Sequence, residues 1–164
     1  MKQDDGISIR LASAEDAKEI QSLVVGLAGS MGKLGRVSST VENFRDALSG
    51  GDPAIHTFLV ERNSKPVGMA IFFLTFSTWR GNRGVYLQDI YLHPDARGTG
   101  TGKKLLAKVV AWAVDRGADH LRLSVDSGNR SAQAFYESIG MMNCSEELTY
   151  QISDRNFSDL GAGS

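Results

Sequence analysis

Alternating and helical patterns of apolar residues divide the N-terminal part of the chain into one strand and two helices. Apolar and polar residues alternate over Ile7–Leu11, which predicts a short β-strand. Ser13 stands three residues before Asp16, a variant of the capping box that predicts a helix start. Four glycines predict a mobile loop over 26–39, and Thr40 then begins a second helix.

Three runs rich in β-branched and aromatic residues follow, at Thr57–Arg62, Val67–Phe76 and Val85–Leu92. Turn-forming residues over 63–66 separate the first two runs, and those over 80–84 separate the last two. Runs joined by short turns pair with their neighbours, so the sequence predicts three adjacent antiparallel strands.

The C-terminal half alternates helix and strand patterns. Apolar residues recur at helical spacing from Lys103 to Gly117, and a strand is predicted over His120–Val125. Asn129 caps a further helix that Gly140 ends. Thr149–Ile152 is predicted as a last strand. A β-α-β unit after a meander implies a mixed sheet, in one domain over 1–152 with a polar, flexible tail over 153–164.

Composition narrows the possible partners. The chain has 164 residues, of which 41% are hydrophobic, a length and composition that suit one globular domain. A net charge of -1 argues against a nucleic-acid or membrane partner. The single Cys144 and the absence of a leader-like segment lead us to expect a cytoplasmic protein. His56, His93 and His120 lack metal-ligand spacing, so no metal is expected.

The most specific local signal is a glycine-rich loop, Arg97-Gly98-Thr99-Gly100-Thr101-Gly102, between a predicted strand and a predicted helix. The first N–H groups of a helix lack intrahelical acceptors and bind phosphate when no side chain intervenes. The spacing does not match the dinucleotide fingerprint. The P-loop is excluded as well, because Lys104 stands where Ser or Thr would bind magnesium.

Three motifs resemble the GNAT superfamily of acetyl-CoA-dependent N-acetyltransferases. Arg97-x-x-Gly100-x-Gly102, after His93-Pro94, resembles its pyrophosphate loop. The segment from Ser77 to Leu92 resembles a run in the diamine and spermidine/spermine N-acetyltransferase branch. Asn129-x-Ser131-Ala132-x-x-Phe135-Tyr136-x-x-x-Gly140 resembles a helix of the family. The match covers most of the chain.

This resemblance implies an α/β (α+β) GNAT fold. The expected features are a mixed sheet with antiparallel N-terminal strands, helices on both faces, and fourth and fifth strands that splay around acetyl-CoA. The branch is typically dimeric, so a homodimer is expected. The residues expected to contact acetyl-CoA are Ile90, Tyr91, Leu92, Arg97, Gly98, Thr99, Gly100, Thr101, Gly102, Lys103, Asn129, Ser131, Phe135 and Tyr136.

Acetyl transfer to an amine sets three chemical tasks. A lysine-like amine has a pKa of about 10.4 and must lose a proton, for which Asp89 and bound water are the candidate bases. The charge that develops on the acyl oxygen needs a donor, which the resemblance places at the backbone N–H of Ile90. The same resemblance makes Tyr136 the acid for the departing thiolate. The expected reaction is a direct attack in a ternary complex.

Trp79, Gln88 and Asp89 are the candidate substrate-binding residues. The branch has Glu-Asp where this chain has Gln88-Asp89, and an amide cannot accept a proton at neutral pH. Each site residue also has a structural alternative. Tyr136 could be a core residue and Trp79 could cap a hairpin. Asp89 could be a solvated or dimer-facing carboxylate, and Lys103 could be an ordinary surface charge.

Three functions remain open from the sequence. The leading hypothesis is acetylation of a small primary amine: a diamine, a polyamine or a basic amino-acid-like metabolite. The second is acetylation of a peptide N-terminus or a protein lysine. The third is a non-catalytic acetyl-CoA-binding regulatory domain, which Gln88 favours and the intact glycine loop and Tyr136 oppose.

Overall fold

The computed structural model describes residues 6–144 and 146–163. They form two compact units, one ending at Ser124 and the other beginning at Val125. The first unit contains strands β1 (Ile7–Leu11), β2 (His56–Arg62), β3 (Lys65–Ser77), β4 (Asn82–Leu92) and β5 (Ala118–Leu123), with helices α1 (Ala17–Ser30), α2 (Val41–Leu48) and α3 (Thr101–Val114). The second unit contains helices α4 (Arg130–Ser138) and α5 (Asp154–Gly161).

The five strands form one sheet in the order β1-β2-β3-β4-β5. Neighbouring strands from β1 to β4 are antiparallel, as short turns require. The β4–β5 pair is parallel, because α3 carries the chain back between them. The predicted meander followed by a β-α-β unit, and with it the mixed sheet, is confirmed.

Helices cover both faces of this sheet. Directly paired residues share a face, so Leu59, Met69 and Ile71 pack together and form a buried cluster with Ile20 and Leu23 of α1. On the opposite face, the Phe72 ring meets the Trp112 ring of α3 edge-on, with centroids 5.0 Å apart. The two faces are called the α1 face and the α3 face below.

Two capping boxes, of which the sequence predicts the one at Ser13, set the starts of the N-terminal helices. The Ser13 side chain accepts from Glu15 N, and Asp16 Oδ2 accepts from Ser13 N at 2.8 Å. A single 3-10 turn over 14–16 follows before α1 begins. Thr40 and Asn43 form the second box at the start of α2. Both satisfy N–H groups that a helix terminus otherwise leaves unpaired.

The predicted loop over 26–39 is partly wrong, because α1 continues to Ser30. Gly26 lies inside this helix. A Cβ at Gly26 would lie 3.2 Å from the Tyr91 hydroxyl and ring, so its absence lets the helix approach the sheet closely. Tertiary packing against Tyr91 therefore outweighs the low helix propensity of glycine.

The predicted strand over Thr149–Ile152 is wrong, since these residues have no regular secondary structure. Tyr150 and Ile152 are 88% and 48% exposed, so the apolar residues of the predicted strand lie outside the buried core. The segment that follows, predicted as a tail, contains α5 with exposed residues throughout. The predicted domain end at Ile152 remains a prediction.

Candidate active site

The glycine-rich loop connects β4 to α3 by way of a 3-10 turn over Pro94–Ala96. Gly98 and Gly100 have φ angles of 76° and 78°, in the left-handed region that glycine adopts without strain. Gly100 caps α3 without a side-chain hydrogen bond. A Cβ at Gly98 or at Gly100 would meet no atom within 4 Å. The space over the helix start is open and lined by N–H groups, which fits a pyrophosphate.

Side chains within this loop fix its backbone. Arg97 Nε donates to the Leu92 carbonyl at 2.8 Å, and its guanidinium carbon lies 5.7 Å from the centroid of the Tyr91 ring. The hydroxyls of Thr99 and Thr101 lie 2.7 Å apart. Thr101 is buried, while Gly102 is half-buried and Lys103 is exposed at the start of α3. The loop is therefore tied to the end of β4.

Strands β4 and β5 part on the side of this loop. Their pairing ends at Leu87↔Leu123, although β4 continues to Leu92. On its other edge β4 stays paired with β3 through Leu92↔Gly68. The segment from Gln88 to Leu92 therefore has one paired edge and one edge open toward the gap. The predicted splaying of the fourth and fifth strands is confirmed.

Alternation along β4 identifies the backbone groups that face the gap. The N–H of His93 donates to the Val67 carbonyl at 2.7 Å, across the paired edge toward β3. Because successive residues of an antiparallel strand point their backbone groups to opposite edges, Tyr91 also points toward β3. Ile90 and Leu92 then point toward the gap. The N–H of Ile90 has the orientation that its predicted role as a donor requires.

A β-bulge in β4 determines the direction of Asp89. Ile71 pairs with Asp89 and the next residue, Phe72, pairs with Leu87, so Gln88 is the additional residue. Without it, Leu87 and Asp89 would share a face. With the bulge, Leu87 lies on the α3 face with Phe72, and Asp89 lies on the α1 face with Ile71. Gln88 itself is exposed.

Burial raises the pKa of the Asp89 carboxyl above its ordinary value of 3.8. Desolvation disfavours the charged form, and the half-buried side chain shares the α1 face with Tyr91. A carboxylate with a raised pKa is a stronger base than an exposed one. The environment of Asp89 therefore suits proton acceptance.

The structure does not bring Trp79 near Asp89. Trp79 is 99% exposed, in the turn between β3 and β4. Asp89 lies seven residues into β4 from Asn82, or about 20 Å along an extended strand. Gly81 N donates to the Ser77 carbonyl at 2.8 Å and closes the hairpin with Trp79 at its tip. Within one chain, Trp79 lies before the start of β4, whereas Asp89 lies in its second half.

The remaining predicted site residues lie together in the second unit, on or beside α4. Asn129 Oδ1 accepts from Ala132 N at 3.1 Å, which confirms the predicted cap. Ser131 is exposed in the first turn. Gly140 has a φ angle of 91°, and the N–H of Met141 donates to the Tyr136 carbonyl at 3.1 Å. This is the Schellman arrangement, which confirms Gly140 as the end of the helix.

Phe135 and Tyr136 are half-buried neighbours on α4, with ring centroids 5.4 Å apart. Burial raises the pKa of the Tyr136 phenol above 10.0. The hydroxyl therefore keeps its proton at neutral pH and can donate it. A proton donor of this kind is what the acid assigned to Tyr136 must be.

Sequence reasoning missed two features of this site. The bulge at Gln88 and the contact between Tyr86 and Ser124, 2.8 Å from hydroxyl to hydroxyl, both depend on the register between strands.

Within residues 6–144 and 146–163, no group of three His, Cys, Asp or Glu side chains is arranged to hold a metal ion. None of the helices in that part of the chain is long and apolar enough to cross a membrane.

Comparisons with known proteins agree with this geometry. The model of the acetyltransferase (GNAT) family matches residues 33–141. A thialysine N-epsilon-acetyltransferase of Bos taurus is 33% identical over 148 residues, covering 85% of this chain and 86% of that protein. A spermidine/spermine N(1)-acetyltransferase-like protein of Homo sapiens is 26% identical over 163 residues, covering 95% of this chain and 23% of that protein.

A solved structure extends the likeness to the fold. An aminoglycoside N-acetyltransferase in complex with CoA superposes with a TM-score of 0.71 at 16% identity, covering 94% of this chain and 99% of that one. At this identity the likeness concerns the backbone architecture.

Proposed function

Because the chain belongs to the GNAT family of acetyltransferases, we propose that it acetylates the primary amine of a small, basic, amino-acid-like molecule. The chain is an acetyl-CoA-dependent N-acetyltransferase. The observation that carries the choice of acceptor is its 33% identity to a thialysine N-epsilon-acetyltransferase over most of both chains. The loop between α1 and α2 favours a short or partly anionic amine over a polycation, since Lys33 and Arg36 bring positive charge and no acid there.

The glycine-rich loop is the proposed site for acetyl-CoA. Acetyl-CoA supplies an activated acyl group whose leaving group is a thiolate. The N–H groups at the start of α3 bind the pyrophosphate, and Gly98 and Gly100 leave room for it. The N–H groups of Ile90 and Leu92 face the gap beside β5, and acetyl-CoA binds there along the open edge of β4.

Asp89 is the proposed group that holds or deprotonates the amine, together with bound water. Its place on the α1 face and its raised pKa support this role. Gln88 keeps a polar side chain beside it without adding a second charge. A single carboxylate favours an acceptor with one ammonium near the reacting nitrogen over a long polycation.

Tyr136 is the proposed acid in a ternary complex of enzyme, acetyl-CoA and amine. The buried phenol, which remains protonated at neutral pH, donates to the departing thiolate. The alternative of a non-catalytic binding domain leaves this hydroxyl without a task. Thermal shift with acetyl-CoA, followed by an assay of thiol release, distinguishes binding without turnover from acetyl transfer.

Asp89→Asn is expected to lower kcat/KM for cationic amines by roughly 10-fold, since water retains part of the base's work. Activity of the unsubstituted protein should fall as the pH drops through the raised pKa of Asp89, because only the carboxylate accepts a proton. This acidic limb should disappear in the variant. Steady-state kinetics across pH measure both effects.

The raised pKa of Asp89 changes folding stability with pH in the opposite direction to activity, which provides a control. A folded-state pKa above the unfolded value means that stability decreases as the pH rises through this window, and the full cost applies above it. Asp89→Asn removes this cost, so the variant should unfold no earlier at neutral pH.

Gln88→Glu should improve the use of diamines and polyamines, because the added carboxylate attracts an ammonium group of the acceptor. If neither Gln88→Glu nor Asp89→Asn changes kcat/KM for any amine, strand β4 does not take part in recognition of the acceptor.

A homodimer is the proposed assembly. Trp79 is fully exposed at the tip of the β3–β4 hairpin, with Phe76 63% exposed nearby on β3. Since Trp79 does not reach Asp89 of its own chain, its proposed contact with substrate requires a second copy. Trp79→Ala should then raise KM for the amine, and sedimentation should give a dimer. A fully active monomer would contradict this proposal.

The proposed location is the cytoplasm, and neither nucleic acid nor a membrane is a proposed partner. Cys144 is an exposed free thiol, which suits a reducing compartment. A net charge of -1 gives the chain no overall attraction for an anionic polymer.

A further inference from the structure

The gap between β4 and β5 begins at a defined point, and one pair of side chains lies there. The last paired residues are Leu87 and Leu123. One pair earlier, Tyr86 lies opposite Arg122. The Tyr86 hydroxyl does not stay at that level. It lies 2.8 Å from the hydroxyl of Ser124, the residue that follows the end of β5.

The Tyr86 ring is itself held in place from the other side. It stacks on Phe73 of β3, its direct partner, with centroids 5.4 Å apart and planes inclined by 29°. A side chain fixed on β3 and β4 thus reaches over the end of the ladder to β5. Since Phe73 lies opposite to Phe72, this contact is on the α1 face, as is Asp89.

The starting point of the gap decides which backbone groups of β4 are free. The N–H of Ile90 lies three residues beyond Leu87 and stays open only while the strands part before it. On β4 the bulge at Gln88 interrupts the ladder. On β5, within the part of the chain that the structure describes, the pairing with β4 does not extend beyond Leu123. The hydroxyl pair holds the strand end.

We propose that Tyr86 and Ser124 are positioning residues for acetyl transfer: their hydrogen bond clamps the end of β5 to β4 and fixes the gap in which the Ile90 N–H is presented. This inference rests on the proposed role of that N–H. Neither hydroxyl needs to touch the reacting atoms. Losing the clamp lets the end of β5 fray, and the donor edge of β4 is then held less firmly.

A double-mutant cycle tests the clamp. Tyr86→Phe and Ser124→Ala should each lower kcat by about 3- to 10-fold, the factor that one neutral hydrogen bond typically supplies. The double variant should lose no more than either single variant, because both remove the same bond. The dissociation constant for acetyl-CoA, measured by calorimetry, should change less than about two-fold, since the glycine-rich loop is intact.

A second readout does not depend on turnover. Amide hydrogen exchange over 121–124 should accelerate in both single variants of the apo protein, while Tyr150→Phe, which removes an exposed hydroxyl elsewhere, should leave it unchanged. If exchange is faster in the variants but the unsubstituted protein itself acetylates no amine, the clamp is upheld and the proposed function is contradicted. Additive losses of kcat, unchanged exchange, or a kcat loss matched by a lower Tm would overturn the clamp.

Discussion

Replacing Gly100 with aspartate is expected to abolish acetyl-CoA binding in a protein that still folds. Gly100 caps α3, and a side chain there points into open space over the free N–H groups. Aspartate is a favourable N-cap residue and tolerates left-handed φ better than most residues, so the helix start should survive. Its carboxylate, however, occupies the place of the pyrophosphate.

Charge accounts for most of the expected loss. Two like unit charges about 4 Å apart repel by roughly 4 kcal/mol at an effective dielectric constant of 20, which is about a thousand-fold in affinity. Gly100→Asn is the matched control, since it has the same shape without the charge and should bind more weakly than glycine but far better than aspartate. Calorimetric titration with acetyl-CoA measures all three. Unchanged affinity of a folded Gly100→Asp variant would remove the loop from cofactor binding.

The second large effect is expected from Tyr136→Phe, which should lower kcat by roughly 10- to 1,000-fold. The change removes only the hydroxyl and keeps the ring beside Phe135. If the hydroxyl protonates the leaving thiolate, the loss lies in the chemical step, and the affinity for acetyl-CoA should stay nearly the same. Single-turnover kinetics separate these quantities.

Tyr136→Phe also tests the structural alternative for this residue. A core tyrosine would show its loss in the Tm, with turnover by the folded fraction unchanged. If the variant keeps the kcat of the unsubstituted protein, Tyr136 is a packing residue and not the acid. The raised pKa of the phenol predicts further that, in the unsubstituted protein, kcat falls on the alkaline side once the pH is high enough to ionise this hydroxyl. The phenylalanine variant should lack that fall.

Local signals predicted the parts of the site that depend on neighbouring residues. The glycine-rich loop, the Asn129 cap and the Gly140 helix end each follow from a few adjacent residues whose backbone conformation is set by their own chemistry. The order of strands followed from turn sequences and alternation. These features need no knowledge of distant contacts.

Features that depend on register were beyond the sequence pattern. Nothing near Gln88 signals a bulge, because the extra residue is defined only against β3. Gly26 looks like a helix breaker until Tyr91 is known to pack against it. The segment Thr149–Ile152 resembles a strand, yet a strand also requires an edge to pair with. Such requirements are set by the rest of the fold.

The most direct test of the central claim is a screen of primary amines with acetyl-CoA as donor, read by mass spectrometry of the amine and by thiol release. The panel should include thialysine and lysine, diamines, polyamines and short peptides with free N-termini. We expect one acetyl group on the side-chain amine of the amino-acid-like acceptors, with thiol released in equal amount. Acetylation confined to peptides, or binding of acetyl-CoA without acetylation of any amine, would contradict it.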